Sequence, residues 1–192
     1  MTPHQLQKVE MRRLARALRK EALLATPNCG ALFMHQFVKV DMPAQAIIAG
    51  YRALPDEVDI EPVLTLFHVN GHPLAMPVVE EKSRPLLFRS YKPGDVMRRG
   101  MKGVEEPLSI AAAVTPDVLL VPLTAFDRRG ARLGQGGGYY DRTLAGLRCT
   151  KTIMAIGVAL SVQEMPNIPL EKHDALLDYI VTEKEVIRCS LF

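Results

Sequence analysis

DVLLVPLTAF, residues 117–126, is the strongest strand candidate in the chain because its residues are almost all apolar. Central strands of a sheet that is covered on both faces have this composition, since neither face meets water. TIMAIGVAL, residues 152–160, is a second run of the same kind. The shorter strand candidates are AIIAGY (46–51), HPLAMPVV, RPLLFRSY and YIVTE. These runs predict a sheet with DVLLVPLTAF near its centre.

Helical patterns alternate with these strands. Residues 4–25 are predicted to form a helix with a strongly basic face and a rough apolar stripe. EVDIEPVLTLF is predicted to form a helix that Asp56 caps and Gly71 ends, and YYDRTLAGL a further helix. The turn-rich, charged segment 91–107 is predicted to be a loop. This alternation predicts a layered α/β fold, Rossmann-like, with a mostly parallel sheet flanked by helices and a nucleotide site at the C-terminal ends of its strands.

The composition is that of a globular protein, with 48% apolar and 23% charged residues in 192. We therefore expect a single domain over residues 1–192. The net charge of +3 is mild and does not demand nucleic acid as a partner. Three cysteines without paired or metal-ligand spacing favour the reducing cytoplasm. We expect no membrane span, because no apolar run approaches ~18 residues, and no signal peptide in residues 1–25.

The stretch RLGQGGGYYDR, residues 132–142, places a glycine-rich segment between the strongest strand and a helix. Glycine lets successive backbone N–H groups turn inward, and a following helix N-terminus adds free donors, so the segment can cradle phosphate. Arginines at 128, 129, 132 and 142 supply charge for phosphate oxygens. No Lys-Ser/Thr pair follows the glycines, so this is not a Walker A loop, and Tyr139 stands where the third glycine of G-x-G-x-x-G would be. A mobile, glycine-rich surface turn is the alternative.

Asp141 lies in the first turn of the helix that follows the glycines. A carboxylate beside bound phosphates can hold a Mg²⁺ ion that bridges them. A carboxylate at this place can equally serve to cap the helix. The residue types alone leave both roles open.

RLGQGGGYYDR strongly resembles the signature of the 5-formyltetrahydrofolate cyclo-ligase, or methenyltetrahydrofolate synthetase, family. Further segments resemble the family in the same order, over roughly residues 46–187: IIAGYRALPDEVDIEPVL, PLLFRSYKPGD, GVEEPLS and AIGVALSVQEMPNIPLEKHDALLDYIVTE. The resemblance implies an ATP- and Mg²⁺-dependent closure of 5-formyltetrahydrofolate to 5,10-methenyltetrahydrofolate, with release of ADP and phosphate. The γ-phosphoryl group would activate the formyl oxygen for attack by N10, a reaction that asks the protein mainly for positioning and charge neutralisation.

The resemblance also implies roles for individual residues. The catalytic residues would be Arg132, Tyr139 and Asp141, and the Mg²⁺ ligands Asp141 and Asp174. ATP would be bound by Lys8, Arg12, Arg16, Arg132, Leu133, Gly134, Gln135, Gly136, Gly137, Gly138, Tyr139 and Tyr140. The folate would be bound by Glu57, Gln135, Gly136, Gly137, Gly138 and Tyr139. A carboxylate such as Glu57 suits the paired donors of the pterin ring, although a solvated helix acid would have the same sequence pattern.

The chain departs from the family pattern in two places. Some members carry a lysine in the glycine run, where this chain has Gly137. The family also carries a Lys-x-x-x-Arg motif near its start, which either Lys8 with Arg12 or Arg12 with Arg16 can match. Arginine and lysine are not equivalent at a phosphate site, so the register of this helix matters. A solvated basic face is the alternative for each of these residues.

The remaining candidates are weaker. Glu106 is predicted to lie in a loop that covers the site, and Gln163 could contact substrate after a strand end. His68 and His72 have the spacing of a helical metal pair, but Asn70 and Gly71 interrupt the helix there. Two other functions stay open: a nucleic-acid-binding module, suggested by the basic first helix, and an ATP-using enzyme with another substrate. We expect a monomer without nucleic-acid or membrane partners.

Overall fold

The computed structural model describes residues 3–26, 29–101 and 103–190. The helices are α1 (Pro3–Ala25), α2 (Gly30–Phe37), α3 (Glu61–Val69) and α4 (Tyr139–Arg148). The strands are β1 (Ile48–Ala49), β2 (Leu74–Val78), β3 (Leu87–Tyr91), β4 (Met97–Arg99), β5 (Glu105–Pro107), β6 (Val118–Pro122), β7 (Ala125–Phe126), β8 (Arg132–Leu133), β9 (Met154–Val158), β10 (Tyr179–Val181) and β11 (Val186–Arg188). No helix in these described ranges is long and apolar enough to cross a membrane.

Seven strands form the main sheet, in the order β11-β10-β9-β6-β1-β2-β3. The five central strands are parallel, while β3 and β11 run antiparallel to their neighbours at the two edges. The predicted α/β fold with a mostly parallel sheet is confirmed, and β6 lies at its centre. From β1 the chain adds β2 on one side and β6, β9 and β10 on the other. The strand order therefore reverses between β1 and β6, the place where such sheets open a crevice for ligands.

Helices cover both faces of this sheet, as the apolar runs predict. In β6, Val118 and Leu120 pack into a core that includes Phe33 of α2 and Phe67 of α3. The alternate residues of β6, such as Leu119, face a second core that α4 closes on the opposite side. Burial on both faces explains why this strand carries almost no polar residues.

Several local predictions need correction. Asp56 does not cap a helix: α3 begins at Glu61, after Ile60, although Gly71 follows its end with a φ of +85° as predicted. Segment 91–107 is not only loop, because β4 and β5 form an antiparallel hairpin within it. The run 117–126 is divided into β6 and β7 by a break after Pro122.

Asp117, just before β6, accepts a hydrogen bond from the Ile47 backbone N–H at 2.8 Å and pairs with Lys151 at 2.6 Å. Burial opposes the charge of the carboxylate, but Lys151 and the backbone donor outweigh it and lower the pKa of Asp117. The stability this gives is therefore present above the unfolded pKa, about 3.9, and is lost as pH falls through the lower folded value.

We expect Asp117→Asn to lower the free energy of unfolding at pH 7 by less than about 1 kcal/mol, since the pair is partly exposed. The difference from wild type should shrink as pH falls below about 4, because protonation of the carboxyl then favours the unfolded state until the folded carboxyl is protonated too. Urea titrations of both proteins between about pH 3 and 7 measure it. A difference that stays constant down to pH 3 would contradict the assignment.

Candidate functional site

A cavity of about 980 Å³ lies beyond the carboxyl ends of β1 and β6, where the strand order reverses. Tyr51 and Arg52, which follow β1, form part of its wall, and Leu123 and Thr124, which follow β6, form another part. Residues of α1, of the β4–β5 hairpin and of the segment 171–174 complete it. The cavity thus collects side chains from both ends of the chain at one crevice.

The predicted site residues meet in this cavity with one exception. Its lining includes Lys8, Arg12, Glu57, Arg132, Leu133, Gly134, Gln135, Gly136, Gly137, Gly138, Tyr139, Tyr140, Asp141 and Asp174. Arg16 does not line it, but reaches the glycine loop from α1. The resemblance therefore picked out residues that the fold places around one space.

The glycine loop, Gly134–Gly138, connects β8 to α4. It does not follow the central strand directly, as the sequence suggested, because the β7–β8 hairpin intervenes. Gly136 and Gly138 have φ values of +94° and +64°, in the left-handed region that side chains disfavour. A Cβ at Gly136 would meet no atom within 4 Å, so the backbone there borders open space. The loop therefore offers close backbone approach at the N-terminus of a helix, where anions bind.

Arg132 and Asp141 join the two ends of this loop. The Arg132 guanidinium donates to Asp141 Oδ1 at 2.7 Å and also hydrogen-bonds the Ala175 carbonyl. Asp141 Oδ1 accepts the backbone N–H of Ala175 at 3.1 Å as well. Burial lowers the pKa of Arg132, and the neighbouring Asp141 opposes that shift. The Arg132 guanidinium is therefore largely buried at the edge of the cavity and paired with the Asp141 carboxylate.

Lys8 of α1 meets two further carboxylates of the cavity, in the segment that precedes Ala175. Its Nζ lies 2.7 Å from Asp174 Oδ2 and 3.1 Å from Glu171 Oε2. Burial works against the charge of Asp174, but the hydrogen bonds from Lys8 and from the Glu171 backbone lower its pKa. One ligand atom each from Glu171, His173 and Asp174 lie within 4.8 Å of one another, a spacing that could hold a metal ion. Sequence reasoning missed Glu171, although it lies in the same EKHD motif as Asp174.

Two further basic residues of α1 reach the glycine loop. Arg12 Nε donates to the Gly134 carbonyl at 2.9 Å, and the Arg16 guanidinium donates to Gln135 Oε1 at 2.5 Å. Burial, and next the charge of Arg16, lower the pKa of Arg12. Lys8 and Arg12 line the cavity, whereas Arg16 meets the loop from outside it.

Glu57 lies opposite the glycine loop and contacts it. The Gln135 side-chain amide donates to Glu57 Oε1 at 3.2 Å, while Glu57 Oε2 accepts the Leu54 backbone N–H at 3.1 Å. Burial raises the pKa of the Tyr51 and Tyr140 hydroxyls, and the negative charge of Glu57 raises both further. Both tyrosines therefore remain uncharged, and they line the cavity near Glu57.

The weaker candidates divide. Glu106 lines the cavity and is buried, held by Arg98 at 2.8 Å and by the Val79 backbone N–H at 3.4 Å. Gln163 lies behind the wall instead, where its amide donates to the carbonyls of Leu123 and Thr124 at 2.9 Å. Gln163 therefore supports the cavity from outside.

The fold and this cavity define an α/β protein with a glycine-rich loop and a carboxylate cluster at the switch point of a parallel sheet. A sequence profile described as "5-formyltetrahydrofolate cyclo-ligase family" matches residues 7–183. The chain belongs to this family and is accordingly a ligase-type enzyme of folate metabolism.

Individual relatives agree with that membership. The chain is 34% identical to the Haemophilus influenzae 5-formyltetrahydrofolate cyclo-ligase, over 70% of this chain and 74% of the relative. It is also 34% identical to the Escherichia coli protein of the same name, over 72% of this chain and 79% of the relative. The solved structure of Aquifex aeolicus 5,10-methenyltetrahydrofolate synthetase superposes with a TM-score of 0.77 at 27% identity, covering 96% of this chain and 94% of the other.

Proposed function

We propose that the protein closes 5-formyltetrahydrofolate to 5,10-methenyltetrahydrofolate in an ATP- and Mg²⁺-dependent reaction that releases ADP and phosphate. One observation carries the proposal: the predicted phosphate loop, the predicted folate acid and the predicted metal carboxylates line a single cavity. Proteins named for this chemistry are similar to the chain over most of its length. We further propose that residues 1–192 act as one catalytic domain, as a monomer in the cytoplasm.

The phosphate end of the cavity suits a polyanion. The left-handed glycines at 136 and 138 keep the loop backbone free of side chains, and α4 begins directly after it. Arg132, Lys8 and Arg12 bring positive charge to the same wall. Inward N–H groups, a helix N-terminus and basic side chains are the three recurring means of holding phosphate.

The carboxylates fit a magnesium ion by their chemistry. Asp141, Asp174 and Glu171 offer oxygen atoms, the donors that Mg²⁺ prefers, on the side of the cavity next to the glycine loop. Lys8 and Arg132 hold these oxygens in the structure, so a divalent ion would compete with them for the same atoms. When bound, Mg²⁺ would neutralise charge on the phosphate oxygens.

The proposed reaction needs few groups beyond these phosphate-binding residues and carboxylates. The formyl group is amide-like and a poor electrophile, so its oxygen needs to become a good leaving group. Transfer of the γ-phosphoryl group to that oxygen achieves this, N10 then attacks the formyl carbon, and phosphate leaves. Arg132 and the loop N–H groups would stabilise the transferring phosphoryl group, while Glu57 would bind the paired donors of the pterin ring. Both jobs can be done in one cavity because Glu57 lies against Gln135 of the loop.

An absorbance time course tests the proposal directly. Purified protein is mixed with 5-formyltetrahydrofolate and MgATP, with matched samples that lack ATP or Mg²⁺. The conjugated methenyl bridge changes the near-ultraviolet spectrum, so we expect a rise only in the complete mixture. No rise, with ATP still bound, would point to an ATP-using enzyme with another substrate.

Glu57→Gln should raise the KM for 5-formyltetrahydrofolate by about 10- to 100-fold, because the pterin donors lose a charged acceptor. The affinity for ATP should stay within about twofold. Glu81→Gln is the matched control, since Glu81 is an exposed acid that pairs with Arg84 in a turn. An unchanged folate KM in Glu57→Gln would show that another group binds the pterin.

The nucleic-acid hypothesis rested on the basic face of the first helix. In the structure, Lys8, Arg12 and Arg16 contact the protein's own carboxylates, carbonyl and amide oxygens around the cavity. This face is therefore committed to the site, which favours the enzyme over a binding module.

A further inference from the structure

Arg19, which sequence analysis did not single out, is the most deeply buried charged residue of α1. Only 1% of its surface is exposed. Taking a guanidinium out of water is costly unless its N–H groups find partners. The burial of Arg19 is therefore explained only if its contacts compensate for the lost hydration.

The contacts of Arg19 bridge the two sides of the crevice. One terminal nitrogen donates to the Leu123 carbonyl at 3.2 Å, directly after β6. The other donates to the carboxylate of Asp56, in the segment that follows β1. Its Nε finds no hydrogen-bond partner among the described residues. Arg19 thus ties α1 to both strand ends between which the cavity opens.

The Asp56 contact reaches Glu57 through the chain itself. Glu57 is the next residue, and its backbone N–H closes a turn on the Leu54 carbonyl at 2.9 Å. Its side chain accepts from Gln135, which in turn accepts from Arg16 of α1. These contacts form a closed ring. It leaves α1 at Arg19, passes through Asp56, its neighbour Glu57 and Gln135, and returns to α1 at Arg16, about one turn away.

We propose that Arg19 and Asp56 are positioning residues: they hold Glu57 against the glycine loop before either substrate binds, and so couple folate binding to ATP binding. The inference rests on the proposed function, because it takes Glu57 as the folate acid and the loop as the ATP site. Fixing a binding group in its bound position removes part of the entropy that binding would otherwise cost. The same ring lets an ATP-ordered loop fix Glu57 more firmly, which is coupling between two sites.

The test compares Asp56→Asn and Arg19→Gln with wild type. Asp56→Asn removes the charge from a side chain that is 43% exposed, so it is the variant expected to fold readily. Arg13→Gln is the matched control, because Arg13 lies on the same helix in an exposed pair with Glu10 and away from the cavity. Dissociation constants are measured for 5-formyltetrahydrofolate alone, for a non-hydrolysable ATP analogue alone, and for each with the other present.

We expect Asp56→Asn to weaken 5-formyltetrahydrofolate binding by about tenfold and to leave the affinity for the analogue alone within about twofold. The gain in folate affinity that the analogue gives wild type should shrink in the variant. Arg19→Gln should act in the same direction, and the double variant should be no weaker than the weaker single variant, since both changes break one contact. Arg13→Gln should bind both ligands like wild type.

Three results would overturn the inference. One is wild-type folate affinity and wild-type coupling in Asp56→Asn. Another is an equal loss of affinity for both ligands with a lowered melting temperature, which is the mark of a general folding role. The third is failure of wild type itself to bind 5-formyltetrahydrofolate, which refutes the proposed function and removes the basis of this inference. If Arg19→Gln does not fold, Asp56→Asn still decides.

Discussion

Arg132→Gln should slow the turnover of 5-formyltetrahydrofolate by about 30- to 1,000-fold, which corresponds to ~2–4 kcal/mol of transition-state stabilisation. Arg132 carries a largely buried positive charge on the wall of the cavity, next to the glycine loop. In such a place a charge acts on a developing phosphoryl group with little screening from water. We expect the loss mainly in kcat, because a contact to the transferring group strengthens in the transition state.

Two controls are needed to interpret the Arg132→Gln result. Arg132 also holds Asp141 and the Ala175 carbonyl, so a melting curve must show that the variant remains folded under assay conditions. Arg128→Gln is the matched control, since Arg128 is exposed and pairs with Glu164 and Glu185 outside the cavity. A folded Arg132→Gln variant with wild-type kcat would rule out contact with the transferring group.

Asp141→Asn should reduce turnover by about 100-fold or more and raise the Mg²⁺ concentration that turnover requires. An asparagine can still accept the backbone N–H of Ala175, so the local fold has a substitute for that contact. It cannot supply the negative charge that a divalent cation requires. The expected signature is a Mg²⁺ titration that saturates at higher concentration as well as a lower maximal rate.

The comparison for that variant is Asp41→Asn, because Asp41 is an exposed acid outside the helices and strands. Full activity with a normal Mg²⁺ titration in Asp141→Asn would leave Asp141 a structural partner of Arg132 only. The metal role would then pass to Glu171 and Asp174, which stand together around Lys8.

The sequence predicted the parts of the fold that carry a strong local signal. The continuous apolar runs contain β6 and β9, and strands covered on both faces have that composition. The shorter elements were less visible. The strand β1 has two residues and exists because β2 and β6 pair with it on both sides. The β4–β5 hairpin is charged and turn-rich, so pairing across the chain decides its structure and local propensity does not.

Some site residues could likewise be predicted from the sequence and others could not. The glycine loop and Asp141 belong to one continuous motif, so sequence alone could place them together. Arg19 was predictable only in part: with Lys8, Arg12 and Arg16 it follows the helical repeat along one basic face. Its partner Asp56 was not, because contacts between residues distant along the chain leave no periodic pattern. Asp56 was assigned instead to capping a helix, a role its residue type would equally fit.

The contact of Lys8 with Asp174 has a consequence for how the protein is made. These two residues are 166 positions apart, whereas Arg19 and Asp56 are separated by 37. During synthesis the first helix therefore emerges long before the segment that completes its docking. Closing so long a loop costs more entropy and slows folding, so the crevice acquires its final wall late. Nascent chains that stop short of residue 171 would consequently lack both Lys8 ion pairs, even with the Arg19 contact in place.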